Sequence, residues 1–167
     1  MPTNVERASL VSRHVQIESA TLIDTRMKST LHTIDQPATF RLGNWFRCRH
    51  ELSPSDHDRL LVYVELKFEA SPEGETDSGI AVVDLNATFL ATYRLASASA
   101  FPEDALHHFA DLNGTLNVWP YWRELVQSFA GRAGLPGVVV PVFRPRVKRI
   151  PEQKELEMPE QAAATNM

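Results

Sequence analysis

Six histidines, one cysteine and a few strand carboxylates are the side chains of this sequence that could do chemistry. His14, His32, His50 and His57 are scattered, and His107 and His108 are adjacent. Neighbours on a helix point about 100° apart, so that pair cannot clamp a metal ion as residues four apart would. Asp24, Glu65 and Asp84 fall in strand patterns and could meet on one sheet face as paired carboxylates, the arrangement that general acid–base catalysis uses. A solvated sheet face accounts for them more simply. Cys48 also lies in a strand pattern, where a buried, inert thiol is expected rather than a nucleophile, and one cysteine allows no intramolecular disulfide. There is no Gly-rich phosphate loop, no HExxH, no CxxC and no GxSxG. The reading is a non-enzyme with no catalytic residues, no metal and no cofactor.

Composition narrows the class further. The 167 residues suffice for one domain with a real core, and 43% hydrophobic with 23% charged residues is ordinary for a globular chain. A net charge of −4 argues against a general nucleic-acid binder, whose affinity rests on neutralising phosphates. No apolar run approaches the roughly 18–20 residues that span a bilayer, and residues 1–15 lack the apolar core of a signal peptide. A cytoplasmic protein with no membrane insertion and no nucleic-acid partner is expected.

The elements follow from periodicity. Residues 14–25 are rich in β-branched residues and read as a strand with a bulge near Glu18–Ala20. Residues 26–37 read as a connection. Residues 38–52 alternate, with Ala38, Phe40, Leu42, Phe46 and Cys48 on one face and Arg41, Trp45, Arg47 and Arg49 on the other; Asn44 interrupts the apolar face. The segment 52–58 is a turn by composition. Residues 60–70 and 80–95 alternate in the same way, joined by a polar hairpin loop at 71–79. One apolar and one polar face with short connections indicates an antiparallel sheet covered on one side. The cover is a short helix over 103–112, stopped by Asn113-Gly114, and a long one. Val118, Trp122, Leu125, Val126, Phe129 and Ala133 form its apolar stripe. Pro120 belongs in a first turn, so this helix is expected to start at Val118–Pro120 with Asn117 as its N-cap and to end at Gly131 and Gly134. The segment 138–143 reads as extended, because Pro141 forbids a long helix there. The domain organisation is a flexible N-terminus over 1–11, a single domain over 12–144 and a mostly disordered tail over 145–167, with room for a short helix at 152–158.

One stretch carries a family resemblance. Trp119-Pro120-Tyr121-Trp122-Arg123-Glu124, then a helix, then Gly134-Leu135-Pro136 before an apolar extension resembles the SecB family of export chaperones, which has a Phe-Pro-Tyr-Ala-Arg-Glu helix start and a Gly-Phe-Pro exit. By strand order and loop lengths the resemblance covers roughly residues 14–143. It implies an α+β fold, a four-stranded antiparallel sheet with a short and a long helix packed on one face. It further implies pairing of two protomers into an eight-stranded sheet, and a homotetramer formed as a dimer of dimers through the long helices. Unfolded clients would be held in apolar grooves without nucleotide or metal, as a holdase does.

Carried onto this chain, the groove draws on Phe40, Leu42 and Trp45 from the second strand, Trp119, Trp122 and Leu125 from the long helix, and Leu135, Val138, Val140 and Val142 from the exit. Trp45 and Trp122 are expected to be partly exposed. Core or oligomer-interface packing is the alternative for each. The family's acidic docking surface for the SecA motor is not reproduced. Asp24 matches one acid, but Lys28 stands at the second, and Val82 or Val83 replaces the acid of the third long strand. The SecA partnership is therefore not expected. Divergent relatives serve a toxin–antitoxin pair, with an aggregation-prone antitoxin as client. A non-chaperone interaction module on the same fold, recognising one protein or peptide partner, is the second functional reading.

Overall fold

A computed structural model describes residues 2–33, 39–73, 81–135 and 137–150. Four strands, β1 (Val15–Ser29), β2 (Phe40–Ser53), β3 (Asp56–Pro72) and β4 (Val83–Leu95), form one antiparallel sheet in the order β1-β4-β3-β2. The last three make a meander, and β1 lies beside β4, a Greek key traversed from its returning strand. Alternation in the central strands is complete. Leu60, Val62, Val64, Leu66, Phe68 and Ala70 of β3 and Val83, Leu85, Ala87, Phe89, Ala91, Tyr93 and Leu95 of β4 are all buried on one face. At about 1.5–3 kcal/mol for each large aliphatic or aromatic side chain, this layer is the main source of stability.

Strand ends differ from expectation where pairing overrides composition. β1 continues through the expected connection to Ser29, because Thr25–Ser29 pair with Ala87–Val83. Its register shifts between Ile17 and Ser19, at the expected bulge, and again between Leu22 and Asp24. The turn at 52–58 tightens to Pro54-Ser55, and β4 starts at Val83 rather than residue 80. Met1, residues 34–38 of the first connection, 74–80 of the hairpin loop, Pro136, and residues 151–167 of the tail with its possible helix at 152–158 lie outside the described residues.

The helical layer corrects two expectations. First, α2 (Glu103–Phe109) does not stop at Asn113-Gly114. It runs through a π-helical turn, Ala110–Gly114, straight into α3 (Thr115–Ala133). Gly114 packs directly on the sheet: a Cβ there would lie 2.6 Å from Val62 Cγ1. Close packing thus outweighs the roughly 1 kcal/mol that glycine costs inside a helix. Asn117 is not a cap. Its Nδ2 donates to the Tyr93 hydroxyl at 2.8 Å, and that hydroxyl donates to the Asn113 carbonyl at 3.4 Å. Pro120 falls inside α3, on its exposed side, where water can serve the Leu116 carbonyl that the missing N–H leaves free.

Second, residues 2–11 are not frayed. Asn4–Ser12 form a helix, α1, with a complete capping box: the Glu6 N–H donates to Thr3 Oγ1 at 3.2 Å, and the Thr3 N–H to Glu6 Oε2 at 2.6 Å. The Thr3 N–H, and after it the Thr3 hydroxyl donating to Glu6 Oε2 at 3.0 Å, hold the Glu6 carboxyl below its ordinary range. Ala8 and Val11 are buried, and Arg7 meets Asp104 of α2 at 3.2 Å. Residues 145–150 are held as well. Asn4 Nδ2 donates to the Arg146 carbonyl at 2.9 Å, and Asn4 Oδ1 accepts from the Lys148 N–H at 2.8 Å. The Asn4 N–H donates to the Lys148 carbonyl and the Ile150 N–H to the Pro2 carbonyl, each at 3.0 Å. The domain therefore extends past both expected boundaries, because each end supplies the other's hydrogen-bond partners.

The opposite sheet face carries ion pairs. Glu18 accepts from Arg59 at 2.8 Å and Arg94 at 3.1 Å, and Arg94 also reaches Asp56 at 2.6 Å. The Arg59 hydrogen bond holds the Glu18 carboxyl below its ordinary value of 4.5, and Arg94 does the same for Asp56. Lowered carboxylates stabilise the fold above the unfolded value, and that contribution is lost as pH falls through the folded one. Glu18→Gln should therefore lower urea stability slightly at pH 7 and flatten its decline below about pH 4.5 by the same small amount, because the groups are exposed and screened. Asn4→Ala should destabilise by about 1–2 kcal/mol and release hydrogen-exchange protection at Lys148 and Ile150.

Candidate functional site

Three side chains of the Trp119–Glu124 stretch hold something outside their own helix. Trp122 Nε1 donates to Asn44 Oδ1 of β2 at 2.9 Å. Trp119 Nε1 donates to the Pro141 carbonyl and Arg123 Nε to the Val140 carbonyl, both at 2.8 Å. The chain reaches those carbonyls through a Schellman exit. Gly134 sits at φ 89°, the Leu135 N–H donates to the Ala130 carbonyl at 2.9 Å, the Gly134 N–H donates to the Gly131 carbonyl at 3.3 Å, and Leu135 is buried. Beyond it, residues 138–148 contain no turn or bend. This arm runs back along α3, meeting Arg123 first and Trp119 next, and ends at Asn4.

Arm, helix and β2 enclose an aromatic cluster. Phe46 stands edge-on to Trp119 with ring centroids 6.0 Å apart and edge-on to Phe143 at 5.4 Å; Trp119 and Phe143 are also 5.4 Å apart. Such pairs contribute about 0.5–1.5 kcal/mol beyond area burial. The cluster is open on one side. Leu42, on the same face of β2, is 48% exposed, Phe46 44% and Val142 56%. The result is a partly exposed apolar surface between β2, α3 and the arm, with two backbone carbonyls of the arm engaged by α3 side chains.

The ten residues that the resemblance implies fall into four environments. Leu42 and Val142 are exposed, and Phe40, Leu125 and Val138 are half-buried against the core. Trp119, Trp122, Leu135 and Val140 are buried. Trp122 is 0% exposed, against the expectation of partial exposure, because α3 turns its stripe fully onto the sheet and Asn44 satisfies the indole. Trp45 lies elsewhere. It pairs with Lys67 on the solvent-facing side, whereas Asn44 and Phe46 face the helices, so the sheet separates it from the other nine. Its ring folds over Gly43, where any Cβ would collide with it, and it walls a hollow of about 500 Å³ with Asp24, Arg26, Arg47, Glu65 and Lys67. Phe46 and Phe143, which complete the aromatic cluster, are not among those ten. Phe46 continues the Phe40–Leu42 alternation across Asn44, a signal that was present. Phe143 gave no signal that would tell a groove residue from a core one.

The polar groups near the groove do not converge on a reactive centre. Burial pushes the Cys48 thiol up to about 11, although its hydrogen bond to Thr115 at 3.1 Å pulls the other way. A thiolate is therefore scarce near neutral pH. His50 meets Glu103 at 2.9 Å and His107 meets Asp111 at 3.5 Å, but among the described residues no three ligating side chains surround a common point. Burial, and then neighbouring His107, lower the His108 pKa. No helix among the described residues is long and apolar enough to cross a membrane.

No family model and no curated protein sequence matches this chain. Among solved structures, its fold is similar to that of the Mycobacterium tuberculosis SecB-like chaperone Rv1957 in complex with a ChAD peptide from the Rv1956 HigA1 antitoxin. The TM-score is 0.69 at 16% identity, over 84% of this chain and 98% of that one. The shared fold is the SecB-like one: a four-stranded antiparallel sheet with a short and a long helix on one face.

The two central tryptophans should respond differently to substitution. Trp122→Ala should cost about 3–5 kcal/mol in urea unfolding, and Asn44→Ala about 1–3 kcal/mol by leaving the indole N–H unpaired. Trp45→Ala should stay within about 0.5 kcal/mol.

Proposed function

We propose that this protein is a nucleotide-independent chaperone that holds extended, aggregation-prone polypeptide in the groove between β2, α3 and the arm. The observation that carries the reading is the open aromatic cluster of Phe46, Trp119 and Phe143, continued by exposed Leu42 and Val142. Contiguous exposed apolar surface on a soluble domain marks a contact site, and the shared fold is one on which a chaperone holds an antitoxin peptide. A client dedicated to this chain, such as an antitoxin, is favoured over a broad range of export substrates. The arm already occupies part of this surface through buried Leu135 and Val140. The same observation favours the second reading, a module for one protein or peptide partner. Competition among several unrelated unfolded proteins separates the two: broad binding indicates the chaperone, one partner only the module.

The assembly in this proposal is a homotetramer working in the cytoplasm. β1 is a free sheet edge with Ile17, Leu22 and Met27 exposed beside it, and α3 presents exposed Leu116 and Tyr121 on its outer side. These suit strand pairing and helix packing between copies. Docking to SecA is not part of the proposal. On the solvent-facing side of β1, Asp24, Arg26 and Lys28 stand opposite Thr88, Asn86 and Asp84, a mixed-charge surface that meets a basic partner with repulsion as well as attraction. Val83 is fully buried, so Val82 is the position at which an acid could be restored.

The protein should suppress aggregation of a denatured substrate without nucleotide, and Leu42→Ser with Val142→Ser should abolish that suppression while circular dichroism stays unchanged. Failure of the parent protein at stoichiometric excess would sink the chaperone reading. Calorimetry against SecA at about 0.15 M salt should show no binding at micromolar concentration.

A further inference from the structure

We infer that the arm after α3 is a docking surface for acidic stretches of extended polypeptide, so that the clients it fits carry Asp and Glu next to an apolar segment. This inference rests on the chaperone reading and specifies its substrate. Arg144, Arg146, Lys148 and Arg149 place four cations within six residues, on a chain whose net charge is −4. All four are exposed, and among the described residues none has an ion-pair partner. The contrast with the sheet face is sharp: Arg47 is matched by Glu65, Arg59 by Glu18, Lys67 by Glu69 and Asp84, and Arg94 by Glu18 and Asp56. Those four cations of the sheet face are neutralised locally, and the four of the arm are not.

The arm is also held in place. Trp119 and Arg123 fix its carbonyls at Pro141 and Val140, and Asn4 fixes residues 146 and 148. Its charges are therefore presented on a preset path beside Phe143, Phe46 and Val142, rather than on a free tail, which lowers the ordering cost of binding. Pro141 and Pro145 lack the N–H that a strand ladder needs, so an added strand is disfavoured and recognition falls to the side chains. Six extended residues span roughly 18–20 Å, enough to face about five or six residues of client. The mixed charges of the sheet face and the apolar groove alongside favour an acidic polypeptide over a nucleic acid.

Fluorescence anisotropy with full-length protein tests this. One unstructured 20-residue probe joins a Leu/Val/Phe-rich half to an Asp/Glu-rich half; a second carries Ser and Gln in place of the acids. At about 0.05 M salt the acidic probe should bind about tenfold tighter, and most of that gap should close at about 0.3 M. Combined Arg144→Gln, Arg146→Gln, Lys148→Gln and Arg149→Gln should erase the preference at low salt. Equal binding of both probes by the parent, or a preference that survives the fourfold change, would overturn the inference and leave the chaperone reading standing. Binding of neither probe would overturn the chaperone reading, and this inference with it. Tighter binding of a 20-nucleotide single-stranded RNA than of the acidic probe would reassign the arm to nucleic acid and equally defeat the proposal.

Discussion

The buried indole of Trp122 is the constraint on which the site depends. A fully enclosed tryptophan contributes a large apolar area, but its N–H must find an acceptor or forfeit about 1–3 kcal/mol. The acceptor is Asn44, a polar residue at a helix-facing position of β2 that apolar alternation would otherwise assign to the core. That single bond explains an anomaly in the strand and locks the outer strand to the middle of α3. With β2 fixed, Phe46 stands against Trp119, one turn earlier on the helix, and the floor of the groove exists.

The wall of the groove comes from a different device. The Schellman exit at Gly134 reverses the chain, and side chains from α3 then capture backbone carbonyls of the returning arm. A proline-containing segment cannot secure itself by a regular ladder, so donors from Trp119 and Arg123 take that role. The far end is secured by Asn4, whose amide mimics a peptide group, accepting one backbone hydrogen bond and donating another. The first and last described segments are thus parts of one structure, and the N-terminal helix supports the site although it contributes no side chain to it.

The sheet divides the molecule's surface into two kinds of chemistry. On the helix side, aromatic and aliphatic groups are preorganised and partly open. On the other, ion pairs across β1, β3 and β4 balance one another, and the Arg47–Glu65 pair lies at the hollow beside Trp45. A balanced face offers little net field, whereas the arm concentrates one sign of charge at the edge of the apolar groove.

Much of this was legible in the sequence. Period-two alternation identified β3 and β4 residue by residue, because both are central strands with one face wholly covered and every slip would expose a core side chain. The sheet-and-helix class and the Gly134 exit were legible for the same kind of local reason: backbone chemistry there admits few alternatives. Tertiary contacts decided the rest. Helix continuity through Gly114 depended on the space Val62 leaves, and the role of Asn44 on an indole 78 residues away. The order of the N-terminus depended on a carbonyl and an amide at residues 146 and 148. A sequence states which side chains are apolar and with what period. Which of them meet across the fold, and so which form floor, wall or core, is set by long-range hydrogen bonds and packing that have no local signature.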